Sequence, residues 1–253
     1  MKEYRITKYN PIFRNEKGHY LKDEWTDVSD VGKIFDGKQL TENDYLVIEK
    51  AYIASVFTML AISNLDHLRI VGLWPENISE RLSLEKDRWY FESGFESIVL
   101  IEDHLVLLSE LELVLKLIFR GTISCRLEVY NQFYVHFGYD YYMYIGGKEI
   151  SDIALAEISS SGLFIEPYGS PYFSRLHKWF LQWCNINDFI VIDQVEIPFM
   201  NVELVRKCLH LSSEHPADIS FEITPDNVEI LQNEFNVDFG RYSYSVSCEG
   251  VIE

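Results

Sequence analysis

The chain has 253 residues, of which 47% are hydrophobic, 25% charged and 15% aromatic. This usage is typical of a globular protein, and the length suffices for one large or two small cores without stabilisation by disulfides or metals. With 22 Lys and Arg against 40 Asp and Glu, the formal net charge is -18. That charge argues against nucleic acid or an anionic membrane as the main partner, because both bind basic surfaces.

The cysteines and the N-terminus indicate the compartment. Four cysteines stand far apart with no C-x-x-C pair, so the sequence contains neither a zinc ligand set nor a redox motif. The N-terminus lacks the apolar segment of a secretory signal, and no apolar run approaches the roughly 18 residues of a membrane span. We therefore expect a cytoplasmic protein with reduced thiols, no metal and no cofactor.

Hydrophobic periodicity predicts both helices and strands in the first half of the chain. In chain order they are a strand at 4–9, a helix at 41–63, strands at 68–74 and 89–101, a helix at 107–120 and a strand at 123–129. The first helix has a clear start, because Thr41 and Asp44 have the spacing of a capping box. Between the first strand and that helix lies a long polar segment, which we expect Trp25 to anchor.

The segment 133–145 has an apolar or aromatic residue at every odd position, which predicts a strand or a hairpin bent at Gly138. Its even positions form a candidate ligand patch around a notch at Gly138, consisting of Tyr134, His136, Asp140, Tyr142 and Tyr144. On one continuous strand His136 and Asp140 would lie about 13 Å apart, too far for a base and the group that orients it. An aromatic face packed under another element is therefore the favoured interpretation.

The second half of the chain continues the mixed pattern. It predicts a strand at 163–165, a Trp-rich helix at 176–184, a strand at 189–197, a helix at 202–211, a strand at 219–223, a helix begun by Thr224-Pro225 and a strand at 242–248. The fold class is therefore α+β, with antiparallel sheets and helices packed on one face. We expect an N-terminal half at 1–150 and a C-terminal half at 151–253. A weak repeat of 98–145 in 190–247 leaves open whether the halves are related.

Motifs of known chemistry are missing. The run Gly146-Gly147-Lys148 is followed by Glu149, so it is no phosphate-binding loop, and the nucleophile-elbow, zinc-protease and dinucleotide motifs do not occur. We therefore expect no catalytic residues and no enzymatic activity.

The acidity is concentrated in one part of the chain. Residues 151–253 carry 5 basic and 16 acidic side chains, which is -11 of the -18, and no Lys or Arg occurs between Cys208 and Gly240. The residues that we predict to bind a partner are Glu214, Asp218, Glu222, Asp226, Glu229, Asn233, Glu234 and Asp238. A surface of one sign steers a basic partner towards it. An equally weighted alternative is that these charges only keep the protein soluble.

Several short motifs carry a resemblance. They are residues 4–11, 18–20, 24–26, 29–33, 137–142, 162–166 and 170–172, which read YRITKYNP, GHY, EWT, SDVGK, FGYDYY, GLFIE and SPY. With these motifs, mainly in its first two thirds, the chain resembles an uncharacterised group of Firmicutes proteins. In style it is similar to immunity proteins encoded beside polymorphic toxins. The resemblance implies no site residues.

These observations lead to two functional hypotheses. The first is a non-enzymatic acidic binding protein, an immunity or inhibitor protein that neutralises a basic partner such as a nuclease toxin or another nucleic-acid-handling enzyme. The alternative is a small-molecule-binding protein or enzyme that uses the notch around Gly138. The sequence does not indicate an oligomeric state.

Overall fold

The chain folds into two compact units, Met1–Ser170 and Pro171–Glu253. The computed structural model describes residues 1–75, 77–172, 176–187, 190–231 and 234–250. Both units combine α-helices with antiparallel strands, so the predicted α+β class is confirmed.

The first unit is built around a seven-stranded antiparallel sheet. Its strands are β1 (Lys2–Thr7), β4 (His67–Trp74), β5 (Leu105–Leu107), β6 (Ser124–Val129), β7 (Phe133–Phe137), β8 (Met143–Gly147) and β9 (Phe164–Pro167). Their order in the sheet is β5-β4-β6-β7-β8-β1-β9. A separate small hairpin joins β2 (Ile34–Phe35) to β3 (Lys38–Gln39). The helices are α1 (Glu42–Ser63), α2 (Ile78–Glu85), α3 (Leu108–Phe119) and α4 (Asp152–Ser160).

One face of this sheet packs against helices. Side chains alternate along a strand, so Ile70, Leu127, Val135 and Ile145, which are partners in register across four strands, all point to the same face. All four are fully buried and belong to one core with residues of α1, α3 and α4. The prediction of helices packed on one face is thereby confirmed.

The longest helix, α1, begins as predicted. The Thr41 Oγ1 accepts from the Asp44 N–H at 3.1 Å, and the Asp44 carboxylate accepts from the Thr41 N–H at 3.2 Å, which completes a capping box. Within the described part of the chain, α1 alone is long and apolar enough to cross a membrane. Its Tyr52, Val56 and Met59 are instead fully buried in the core of the first unit.

The division between the units differs from the expected one at residue 150. Helix α4 contacts α1, and β9 pairs with β1 in the register Arg5↔Glu166 and Ile6↔Ile165. Residues 151–170 therefore complete the first sheet and its helical layer, and the boundary lies after Ser170.

The second unit has a four-stranded antiparallel sheet in the order β11-β10-β13-β12. The strands are β10 (His177–Asn185), β11 (Val191–Glu196), β12 (Phe221–Ile223) and β13 (Tyr242–Gly250), and the helix is α5 (Val202–Cys208). Trp179, Leu181, Val205, Leu231 and Val246 form the centre of its core.

The Trp-rich helix predicted at 176–184 is wrong, because these residues form strand β10. Trp179 and Trp183 are four residues apart, a spacing that brings two side chains to one face of a helix and also of a strand. Pairing of β10 with both β11 and β13 decides for the strand. Trp179 and Leu181 then face the core, as the alternation of a half-buried strand requires.

Two further assignments in the first unit differ. The strand predicted at 89–101 is wrong: the segment has one short 3-10 turn, Phe95–Ser97, preceded by Gly94 at φ +114°. That left-handed conformation interrupts an extended chain and favours glycine. Helix α2 was not predicted, although Asn77 caps it and Ile78, Leu82 and Glu85 are buried at helical spacing.

The helix predicted after Thr224-Pro225 is also wrong, since the structure has a turn followed by the 3-10 turn Val228–Ile230. The Asn227 side chain accepts from the Thr224 N–H and donates to the Glu222 carbonyl, both at 2.9 Å. These bonds compete with helical ones. The proposed repeat differs at its first element, because 98–101 is not a strand whereas its partner segment contains β11.

Candidate functional site

The aromatic segment forms a hairpin, one of the two conformations expected. Strands β7 and β8 are joined by a turn in which the Gly138 N–H donates to the Tyr142 carbonyl at 2.8 Å. Asp140 and Tyr141 both have positive φ, at 57° and 60°. The turn points Tyr141 into the core, where its hydroxyl lies 2.6 Å from the Tyr45 hydroxyl.

The face of the first sheet opposite the core is lined by polar and aromatic residues, and we call it the polar face. Two rows of partners in register run across it. One row is Arg69, Glu128, Tyr134, Gly146 and Glu3, and the other is Arg126, His136, Tyr144, Arg5 and Glu166. The structure thus brings three of the five predicted patch residues together.

Burial sets the protonation chemistry of Tyr134 and His136. The Tyr134 ring lies against Gly146, so close that a Cβ on residue 146 would be 2.2 Å from the Tyr134 Cε1. Burial raises the pKa of Tyr134. Burial, with the nearby Arg126 charge, lowers the pKa of His136 to about 4, so its imidazole is neutral at physiological pH.

The other two patch residues lie elsewhere. Asp140 is exposed at the tip of the turn, and its charge acts on Lys8 and Tyr9. The Tyr142 ring lies 5.4 Å from the Tyr9 ring and 5.2 Å from the Arg5 guanidinium. The predicted patch is therefore divided between a strand face and a turn.

Sequence reasoning missed a cluster of two arginines on one carboxylate. The Arg5 Nη2 lies 3.0 Å and the Arg14 Nη1 2.5 Å from the Glu166 Oε2, and Arg5 also lies over the Tyr168 ring at 4.3 Å. Burial alone would raise the pKa of Glu166, but hydrogen bonds from Arg14 and Arg5 hold it below its usual value. This cluster fixes the N-terminal segment to β9. Its charges come from residues distant in sequence, so no local pattern could reveal it.

A cavity of about 380 Å³ lies at the start of α1, beside the β2–β3 hairpin. Its lining consists of Asp23, Glu24, Trp25, Phe35, Asp36, Lys38, Gln39, Leu40, Asp44, Val47 and Ile48. It includes none of the predicted site residues. Glu24 and Trp25 also surround the Lys8 ammonium, which lies 3.2 Å from the Glu24 Oε2 and 4.1 Å from the Trp25 ring centroid.

The acidic residues of the second unit are mostly at the surface. The exposed ones are Glu214, Glu222, Asp226, Glu229, Glu234 and Asp238. The prediction that Asp218 belongs to this surface is wrong, because its side chain is only 3% exposed and its Oδ2 lies 3.5 Å from the His177 Nε2. The remaining predicted residue, Asn233, lies outside the described residues.

The local fold explains this exposure. Around the 3-10 turn, Val228 and Leu231 are buried in the core, so Asp226 and Glu229 face outwards. They lie on a turn and a single 3-10 turn, not on the helix predicted after Thr224-Pro225. Glu222 lies on β12 between Phe221 and the buried Ile223, on the opposite face of the strand.

Basic side chains of the second unit are largely engaged by acids of the same unit. Arg206 donates to the Glu203 carboxylate at 2.8 Å, Lys178 lies 3.2 Å from Glu196, and Arg241 lies 3.8 Å from Asp238. For Glu222, Asp226 and Glu229, no ion pair is found within the described ranges. The surface around them therefore keeps its negative charge.

Among the described residues, no group of three or more His, Cys, Asp or Glu side chains could hold a metal ion.

Comparison of this chain with known proteins identifies no relative. No protein-family model, no curated protein and no solved structure matches this chain.

Proposed function

We propose that the protein is a non-enzymatic, cytoplasmic binding protein that neutralises a basic partner, in the manner of an immunity or inhibitor protein. The observation that carries this proposal is the set of six exposed carboxylates between Glu214 and Asp238 in a stretch without any Lys or Arg. The most fitting partner is a nuclease toxin or another nucleic-acid-handling enzyme, because such proteins expose Lys and Arg to hold phosphate.

Electrostatics supports this function in two ways. The exposed carboxylates of Glu222, Asp226 and Glu229, which form no ion pair in the described ranges, remain available for charge-assisted hydrogen bonds to guanidinium and ammonium groups. A one-signed surface also accelerates encounter with a basic protein, by one or more powers of ten at low ionic strength. A surface that served solubility alone would not favour any one partner.

The geometry favours this function over a small-molecule site at Gly138. That site required His136, Asp140 and Tyr142 around one notch. Asp140 lies instead at the exposed tip of the turn, and Tyr142 packs beside Tyr9 and Arg5.

Affinity capture from a lysate of the native host tests the proposal. The wild-type chain is immobilised beside a variant with Glu222→Lys, Asp226→Lys and Glu229→Lys, and captured proteins are quantified at low and high salt. We expect one basic protein to bind the wild type at low salt and to be lost from the variant, because its Lys and Arg would meet like charges.

A matched control separates a local site from general charge. Glu16, Asp87 and Glu157 are exposed acids of the first unit with no ion pair in the described structure, so their reversal to Lys changes net charge equally. This control should retain the partner. Equal capture by all three proteins, or equal loss from both variants, would contradict the proposal.

A further inference from the structure

Strand β11 lies at one edge of the second sheet and is unusually exposed. All six of its residues are exposed, on both faces of the strand. The large apolar side chains of Ile190, Val191, Ile192 and Val195 are 38% to 63% exposed. Exposed edge strands with apolar side chains are sites where another chain can add as a further strand.

The hydrogen-bond pattern shows which backbone groups face outwards. The Ile197 N–H donates to the Trp179 carbonyl at 2.7 Å, so residue 197 directs its backbone towards β10. In an antiparallel ladder every second residue does the same, which includes Val195 and Asp193. Gln194 and Glu196 therefore direct their N–H and C=O groups away from β10, to the open edge.

A local contact is consistent with this direction. The Gln194 N–H donates to the Asp193 Oδ1 at 2.8 Å, so a side chain occupies the outward donor when no strand is added. The outward Gln194 N–H is thus satisfied by one exposed hydrogen bond, and an incoming backbone carbonyl can replace the Asp193 side chain as its acceptor.

We propose that β11 is a docking edge for an extended, basic segment of the partner, which adds as a fifth strand beside Gln194 and Glu196. The class of partner rests on the proposed function. Charge selects this occupant: on and beside the edge, the carboxylates of Asp193, Glu196 and Glu249 outnumber the single base Lys178, which pairs with Glu196, so a strand with Lys or Arg is attracted. A second copy of β11 would bring the same carboxylates against each other, in a half of the chain that carries -11.

Titration with defined peptides tests the docking edge. The probes are two peptides of about ten residues, one alternating lysine and valine and one alternating glutamate and valine. We expect the basic peptide alone to bind, with NMR shifts and slowed hydrogen exchange at the Gln194 and Glu196 amides. Equal binding of both peptides, or shifts confined to residues outside β11, would overturn the proposal.

Two variants sharpen this test. Gln194→Pro removes an N–H that faces away from β10, a position where an edge strand tolerates proline, and should weaken binding at least about tenfold. Val195→Lys keeps the backbone intact and should weaken it by repulsion. Unchanged thermal unfolding of either variant establishes that the fold is retained. Unaltered peptide affinity in both would overturn the proposal.

The outcome also separates this inference from the proposed function. If the captured basic partner is lost from the Glu222, Asp226 and Glu229 reversal but binds Gln194→Pro normally, the function holds and the docking edge is wrong. If the partner still binds the Glu222, Asp226 and Glu229 reversal but is lost from Gln194→Pro, the proposed acidic surface is wrong. If size-exclusion chromatography shows a dimer that Gln194→Pro dissociates, β11 binds a second copy, which also overturns the proposal.

Discussion

Glu49 and Arg120 form a bidentate ion pair inside the core of the first unit. The Arg120 Nε lies 2.8 Å from the Glu49 Oε2, and its Nη2 lies 2.7 Å from the Oε1. Their side chains are 3% and 1% exposed. Burial alone would lower the pKa of Arg120, but the hydrogen bonds and charge of Glu49 raise it. The Tyr45 hydroxyl also donates to Glu49, so the pair links α1 to the end of α3.

Removal of one member of this pair should strongly destabilise the protein. We expect Arg120→Met to lower the free energy of unfolding by about 3 to 5 kcal/mol, because Glu49 would remain buried without its charged partner. Replacement of both residues by apolar ones should lower it less. Urea unfolding measures both values.

An exposed ion pair provides the comparison. Lys86 and Glu96 lie 2.6 Å apart with both side chains more than half exposed. Lys86→Met should change the free energy of unfolding by less than about 1 kcal/mol. Similar effects of the Lys86 and Arg120 variants would show that burial does not set the strength of the pair.

Lys8 should make stability depend on pH. Burial lowers its pKa from 10.5 to about 8, against the opposing effect of Glu24. The unfolded chain therefore holds a proton on Lys8 that the folded chain releases, and stability should increase as pH rises from about 8 to about 10. Above about pH 10 the trend should reverse, since burial raises the pKa of Tyr9 and Tyr52 and the unfolded tyrosines ionise first.

The variant Lys8→Met isolates this effect. Below pH 8 the charged, buried Lys8 lowers the free energy of unfolding by about 3 kcal/mol, which corresponds to the size of its pKa shift. The variant should therefore lack the increase in stability between pH 8 and pH 10. Denaturant unfolding across pH 7 to pH 10 measures the slope. A slope that persists in Lys8→Met would assign the dependence to other groups.

The packing of the Tyr134 ring should require glycine at position 146. Gly146→Ala places a Cβ within 2.2 Å of that ring and should destabilise the protein by about 3 kcal/mol or more. At the neighbouring Gly147 the nearest atoms would lie at 3.3 Å, so Gly147→Ala should cost less. The Gly146→Ala effect should shrink when combined with Tyr134→Ala, as measured by a double-mutant cycle.

His136 should stay neutral over the physiological range. Its pKa of about 4, set by burial and Arg126, predicts no NMR titration of its ring between pH 5 and pH 8. The stability that the neutral His136 ring contributes should be lost as pH falls from 6.5 towards 4, because His136 of the unfolded chain takes up a proton before His136 of the folded chain does. A ring titration near pH 6.5, assigned with His136→Gln, would contradict the buried placement.

Sequence reasoning succeeded where the signal is local. Thr41 and Asp44 bond to each other within one helical turn, so α1 was predicted from its own residues. It failed where distant strands decide. The spacing of Trp179 and Trp183 is compatible with a helix and a strand, and pairing with β11 and β13 selects the strand.

The candidate site follows the same division. The period of two placed Tyr134, His136 and Tyr144 on one face, which the register confirms. It could not locate Asp140, because a left-handed turn ends the alternation after Gly138. Nor could it show that Asp218 is buried beside His177, since this contact joins separate elements of the second unit.

The salt dependence of partner affinity tests the acidic surface most directly. With the captured partner purified, the dissociation constant and association rate are measured from about 50 to 300 mM salt for the wild type, the Glu222, Asp226 and Glu229 reversal, and the first-unit control. We predict that wild-type association slows and the dissociation constant rises at least about tenfold over this range, while the reversal binds weakly throughout. If the wild-type affinity does not change with salt and the reversal binds the partner with the same affinity, the acidic surface is not functional.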